Sequence, residues 1–270
     1  MPDSIAVQFH HLLKGPSRCL WGGTSKLGLH PLTWLGLRYR DTIFRFPEGQ
    51  HPGVSGCVAL TIDDGFCRQS PDCCLAEDVR KLLQAHGARA TFMICSDYLH
   101  GFEAEAQRLL ADGCEFANHC AADGVNYFKM PLNEIHPIVE KTTREIEQAV
   151  AATGHVRWFR APQGLYSTAM RSTVHKLGLR HALADCYCDD FMHADPRWIA
   201  ATLLRQARAG SIVLIHMPER GHCEHNLEAL ELTLKGLAAK GLRAVTLSEL
   251  AALAEGGGGG GGGGETYEHI

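Results

Sequence analysis

The chain lacks a long hydrophobic run. Nowhere do roughly 18 apolar residues follow one another, as a bilayer span requires, and the stretch from Leu20 to Leu37 is broken by Gly22, Gly23, Lys26, His30 and Pro31. No membrane span is expected, and the chain reads as soluble. It also lacks an excess of either charge: 26 basic against 30 acidic residues give a formal net charge of −4. That leaves no electrostatic footprint for nucleic acid or an anionic membrane as a partner. Met1 to Leu13 lack the basic-then-apolar order of a secretory signal, which favours a cytoplasmic location. Residues 1–40 carry several Lys and Arg, but too little Arg and Ser for a clear transit peptide. Paired ligand spacing of the structural zinc kind is missing too. Cys186-x-Cys188 and His222-Cys223-x-His225 therefore read as packing and loop residues.

Cysteine is abundant, with 11 residues, but the count is odd and the spacing irregular. A disulfide scaffold is not expected, and reduced thiols are, with Cys73-Cys74 the first candidate for an exception. A length of 270 residues suits one large α/β domain. From Cys57 onward, short apolar runs alternate with amphipathic helical patterns, the signature of βα units around a parallel sheet or barrel. Strands are predicted to end at Ile62 and over Ala90–Ile94, Glu115–Ala117, Trp158–Phe159, His181–Ala184, Ser211–Ile215 and Arg243–Thr246. Between them lie helices. The longest carries Ile135, Ile138, Val139, Thr142, Ile146 and Val150, with Pro137 expected in its first turn, and Thr246-x-x-Glu249 is shaped like a capping box for the last. The pattern divides the chain into an N-terminal extension (1–40), one domain (41–254) and a glycine-rich tail (255–270) expected to be disordered.

The informative pentapeptide is Thr61-Ile62-Asp63-Asp64-Gly65, directly after the apolar run Cys57–Leu60. Two adjacent carboxylates at a buried strand end repel each other and lose hydration unless a cation or proton offsets the charge, so a metal is implied. Strand alternation would send Asp63 and Asp64 in different directions, one free to bind an ion and the other to move protons. Asn118-His119, followed four residues on by Asp123, lies beyond another strand. Arg160-Ala161-Pro162-Gln163-Gly164, Cys186 to Phe191 and Leu214-Ile215-His216 lie at further strand ends, and in a βα barrel such ends converge on one face.

Four of these patches, in order, resemble the NodB homology domain of the polysaccharide deacetylases, carbohydrate esterase family 4: T-F-D-D-G at Thr61–Gly65, the histidine motif at Asn118-His119, R-x-P-x-G at Arg160–Gly164 and L-x-H at Leu214–His216. The resemblance spans roughly residues 55 to 253 and implies a distorted (β/α) barrel of about seven strands. Carried over residue by residue, it implies Asp63 as general base, Asp64 and His119 as metal ligands and His216 as general acid. Arg160 would hold Asp63, and Asp190 would tune the acid, with Asp185 the fallback. Phe66, through a nearby backbone N–H, Pro162, Phe191 and Leu214 would meet the substrate. The implied reaction is metal-assisted hydrolysis of an N-acetyl group on a GlcNAc-containing, chitin-like poly- or oligosaccharide, by water on the ion.

The family's common H-x-x-x-H has Asp123 at its second histidine position. An acidic third ligand makes the ion a weaker Lewis acid and relaxes a preference for zinc toward cobalt, manganese or iron. Gln163 replaces the usual aromatic and Met217 an Asp, which would reshape the substrate groove. O-deacetylation of the acetylxylan type and a glycan-binding pseudoenzyme stay open as alternatives. The sequence leaves the oligomeric state and the particular glycan open.

Overall fold

The structure, a computed structural model, describes residues 41–256; the N-terminal extension expected over 1–40 and the glycine-rich stretch from 257 lie outside the described residues. From Thr42 the chain alternates strands with helices: β1 (Thr42–Ile43), β2 (Cys57–Asp64), α1 (Ala76–Ala85), β3 (Thr91–Ile94), α2 (Glu103–Ala111), β4 (Glu115–Asn118), α3 (Leu132–Ala149), β5 (Trp158–Phe159), α4 (Thr168–Lys176), β6 (Arg180–Ala182), α5 (Pro196–Gln206), β7 (Ile212–His216), α6 (Asn226–Ala239), β8 (Arg243–Val245) and α7 (Leu247–Gly256). Seven strands lie side by side in the order β1, β6, β5, β4, β3, β2, β7, each pair parallel. β8 pairs with the first half of β2, on the side where Arg89 N–H donates to Ala244 O, just ahead of β3. The ring closes through single bridges, Cys186 to Val213 and Arg45 to Ser211. This is a distorted (β/α) barrel of the NodB type, as the sequence led us to expect.

Alternation along β2 explains the two cores. Val58, Leu60 and Ile62 face the helices, whereas Cys57 and Ala59 join Met93, Ala117, Trp158, Ala182 and Ile212 inside the barrel. Helix α7 closes the bottom of that interior with Leu247, Leu250 and Ala251. Glu115, buried at the start of β4, accepts hydrogen bonds from Thr91 Oγ1 (2.7 Å), Ser248 N (3.1 Å) and Ser248 Oγ, capping the N-terminus of α7 with a negative charge. Above Ala59 the same inner face continues to Thr61 and Asp63, so the polar centre sits on top of the apolar plug.

Two helix expectations change. Pro131 and Leu132 start α3 a turn earlier than the apolar stripe suggested, which puts Pro137 in its second turn. The capping box is half formed: Thr246 Oγ1 accepts from Glu249 N at 3.1 Å, while the Glu249 carboxylate pairs with Arg89. All ten described cysteines are free, Cys73 and Cys74 included.

Candidate active site

Parallel pairing brings the chemistry together. The register sets Asp63 of β2 opposite His216 of β7 and Thr61 opposite Leu214, and Met217 N–H closes the ladder on Asp63 O at 3.0 Å. Side chains opposite each other in parallel strands share a face. Asp63 and His216 thus meet at the barrel mouth although 153 positions separate them in sequence (216 minus 63).

Asp64 does not follow the alternation expected of it. Its φ is +82°, a left-handed conformation that Asp tolerates better than most residues. The strand therefore breaks at Asp64, and both carboxylates face one imidazole: His119 Nε2 lies 3.9 Å from Asp63 Oδ2 and 3.7 Å from Asp64 Oδ1. His119 follows β4, its N–H bonded to Ile94 O at 2.9 Å. Its Nδ1 donates to Arg160 O at 2.8 Å, which leaves the Nε2 lone pair turned toward the carboxylates.

Arg160 follows β5 and is 1% exposed. Its Nη1 donates to Asp63 Oδ1 and to Thr61 Oγ1 (2.9 Å), and Nε donates to Ala182 O (3.2 Å), so the guanidinium is pinned on three sides. Asp190, wholly buried, accepts from His216 Nδ1 and His216 N, both at 2.7 Å, and from Asn226 Nδ2 at 2.9 Å. Asp185 instead accepts from Ser211 Oγ and Ile212 N, away from the histidine. Burial opposes protonation of His216, but the Asp190 charge and hydrogen bond outweigh it, helped by Asp64 and Asp63, and push the pKa up to about 10. Burial acts to raise the Asp190 pKa; the charge and hydrogen bonds of His216 win and hold it below the usual carboxylate value.

Asp64, Cys95 and His119 each offer one ligand atom, all within 4.8 Å of one another and buried. An oxygen, a sulfur and an imidazole nitrogen so grouped fit a divalent ion. Asp123, expected as the third ligand, lies outside this group. Residues 119–126 run through turns with no helical residue, so a spacing of four does not return Asp123 to the face of His119. Its carboxylate is 40% exposed and stands 3.7 Å from Arg68 Nη2.

The expected substrate residues separate into two groups. Phe191 is 53% exposed, with its ring edge against the His216 imidazole at centroids 5.5 Å apart, and Leu214, two residues before His216 on β7, is half-buried. Pro162 is buried. The Phe66 ring is fully buried among Phe92, Phe102 and Phe116, at centroid distances of 5.8 to 6.3 Å, because the chain turns outward at Gly65. Only its backbone is left for a ligand. Met217 is likewise buried in the helix-side core, so it does not shape the groove, while Gln163 is exposed with φ +59°.

Sequence reasoning missed Arg68, Cys95, Tyr98, Glu219 and Asn226. Their signal is faint: Arg68 follows Asp64 by four residues and Glu219 follows His216 by three, both in loops after strands. His225, read as a loop residue, holds the Asp190 backbone, its Nε2 donating to Asp190 O at 2.7 Å.

Fold and site together define a (β/α) barrel with a carboxylate and histidine centre at the carboxyl ends of its strands. The polysaccharide deacetylase family matches residues 50–182. The chitooligosaccharide deacetylase of Bradyrhizobium sp. (strain ANU 289) is 30% identical over 165 residues, 60% of this chain and 72% of that protein. The chitooligosaccharide deacetylase of Azorhizobium caulinodans is 27% identical over 194 residues, 68% of this chain and 89% of that protein. A pseudoenzyme of carbohydrate esterase family 4 from Bacillus anthracis shares the fold with a TM-score of 0.66 at 22% identity, over 77% of this chain and 68% of that one. The chain belongs to the polysaccharide deacetylase family, with a NodB-type domain of carbohydrate esterase family 4.

Proposed function

We propose that this protein is a metal-dependent hydrolase that removes N-acetyl groups from a GlcNAc-containing poly- or oligosaccharide. The observation that carries the reading is the pairing of Asp63 with His216 across β2 and β7, one carboxylate fixed by a buried arginine and one imidazole held protonated by Asp190. A carboxylate to accept a proton and a protonated imidazole to give one, facing the same cleft, are what hydrolysis of an amide needs. Asp63, held in place by Arg160, takes the proton of the attacking water. His216 gives its Nε2 proton to the departing amine, and Asp190 steadies the charge through Nδ1. Phe191 and Leu214 form the apolar side against which an acetyl methyl packs. Asp64, His119 and Cys95 would hold the ion, zinc first and cobalt, manganese or iron next, and a bound ion supplies Lewis-acid polarisation of the carbonyl. The two rhizobial relatives bear names that fit the same substrate class.

The test is acetate release from chitooligosaccharides and from acetylated xylooligosaccharides by metal-stripped protein, reloaded in turn with zinc, cobalt and manganese. Metal-dependent release from the amino sugars is expected. Release from xylan alone would make the protein an O-acetyl esterase, and no release with any metal from folded protein would leave a glycan-binding pseudoenzyme.

A further inference from the structure

The loop leaving β2 carries Arg68 back across the site, where its guanidinium meets three carboxylates. Nη1 donates to Glu219 Oε1 at 2.8 Å, Nη2 donates to Asp64 Oδ2, and the same Nη2 stands 3.7 Å from Asp123 Oδ2. The backbone holds it too: Arg68 N donates to Glu219 Oε2 at 2.9 Å, and the guanidinium lies over the Tyr98 ring at 5.2 Å. This is unlike a surface ion pair, since the Asp64 and Glu219 side chains are 7% and 2% exposed. Partners arrive from four places, the end of β2 and the segments after β3, β4 and β7, so the guanidinium ties the strand ends together.

Asp64 divides its two oxygens. Oδ1 faces His119 Nε2 at 3.7 Å, while Oδ2 belongs to Arg68. A divalent ion entering beside Oδ1 meets a fixed positive charge on the other oxygen of the same carboxylate. It also finds Asp123 turned to the arginine. Both effects oppose binding, the first by repulsion in a poorly solvated site and the second by removing an anionic ligand.

We propose that Arg68 is the built-in counter-cation of this centre. It neutralises Asp64 and withholds Asp123, so that a divalent ion binds weakly through Asp64, His119 and Cys95, and tightly only where the guanidinium gives way and Asp123 joins. The proposal rests on the metal-centre part of the reading above and deepens it by naming the residue that sets metal affinity.

The experiment is a calorimetric zinc titration of the full chain, without substrate, for wild type, Arg68→Gln, Asp123→Asn and the double variant. A parallel cobalt titration watches for the charge-transfer band of a thiolate ligand from Cys95. Arg68→Gln should bind zinc at least about tenfold more tightly, a difference of about 1.4 kcal/mol. Asp123→Asn alone should leave the affinity within about twofold, yet should remove part of the gain in the double variant, the part that Asp123 supplies as a ligand, and leave the part that comes from freeing Asp64. Equal affinities for wild type and Arg68→Gln would overturn the proposal, as would a tenfold loss on Asp123→Asn alone. If Arg68→Gln fails to fold by circular dichroism, Arg68→Ala and Arg68→Met take its place with the same expectation. Zinc bound by neither wild type nor variant, with acetate release intact, would remove the metal centre and this proposal together. Zinc bound as expected without acetate release would count against the enzymatic reading alone.

Discussion

His216 owes its charge chiefly to one neighbour. With Asp190 beneath it the imidazole stays protonated up to about pH 10, against an ordinary value near 6.5. Asp190→Asn keeps the shape and removes the charge, so the His216 pKa should fall by more than about one unit and carry the basic limb of the kcat/KM profile toward lower pH. An unmoved basic limb in that variant would mean that another group titrates there. The linkage has a definite sign. A raised histidine pKa contributes stability that is complete below the ordinary histidine value and is lost as pH rises through about 10. The lowered Asp190 pKa contributes above the ordinary carboxylate value and is lost as pH falls through its depressed one. Urea unfolding should therefore separate wild type from Asp190→Asn near neutrality and bring them together at the alkaline end. Asp63 calls for a different variant. Asp63→Asn should lower acetate release by about 10²- to 10⁴-fold while zinc binding by titration persists, because Asp64, His119 and Cys95 are untouched. Loss of zinc along with turnover would move Asp63 from proton transfer to ligation.

Among the elements, β7 depends on the backbone just before it. Gly210 has φ +79°, and a Cβ there would lie 1.7 Å from Phe46 O, at the point where Phe46 N donates to Gly210 O and Gly210 N to Cys57 O, both at 2.8 Å. Gly210→Ala should cost at least about 2 kcal/mol, read from the urea midpoint, with acetate release falling as β7 shifts. A midpoint unchanged within error would show that the segment around Phe46 yields freely. The strands themselves were legible because Val58, Leu60 and Ile62, like Phe92 and Ile94, are apolar runs that only a covered sheet explains. Asp63, His119, Arg160 and His216 were legible as strand-end residues for the same reason. What stayed hidden depends on dihedrals and loops. Nothing in the sequence marks the positive φ of Asp64, the outward turn that buries Phe66, or the turns that send Asp123 to Arg68. Likewise Glu219 reaches Arg68 only because the segments after β2 and β7 lie side by side, a fact of topology that spacing does not carry.

On the scale of the whole molecule, the barrel is a stack: α7 below, an apolar plug of small and large residues in the middle, and the charged centre above. The ladder between β2 and β7 rises from the plug at Ala59 to the centre at Asp63, and the amides that close the site extend this ladder and the one between β3 and β4. Met217 N–H ends on Asp63 O and His119 N–H on Ile94 O, whereas Asp123 N–H donates to the Tyr98 hydroxyl at 3.2 Å, in an exposed bond. In hydrogen exchange, the amides of Met217 and His119 should therefore open only with global unfolding, and that of Asp123 in small local fluctuations many-fold faster. The centre would then have a permanent wall and a breathing rim, and would open to solvent on the side of Arg68 and Asp123.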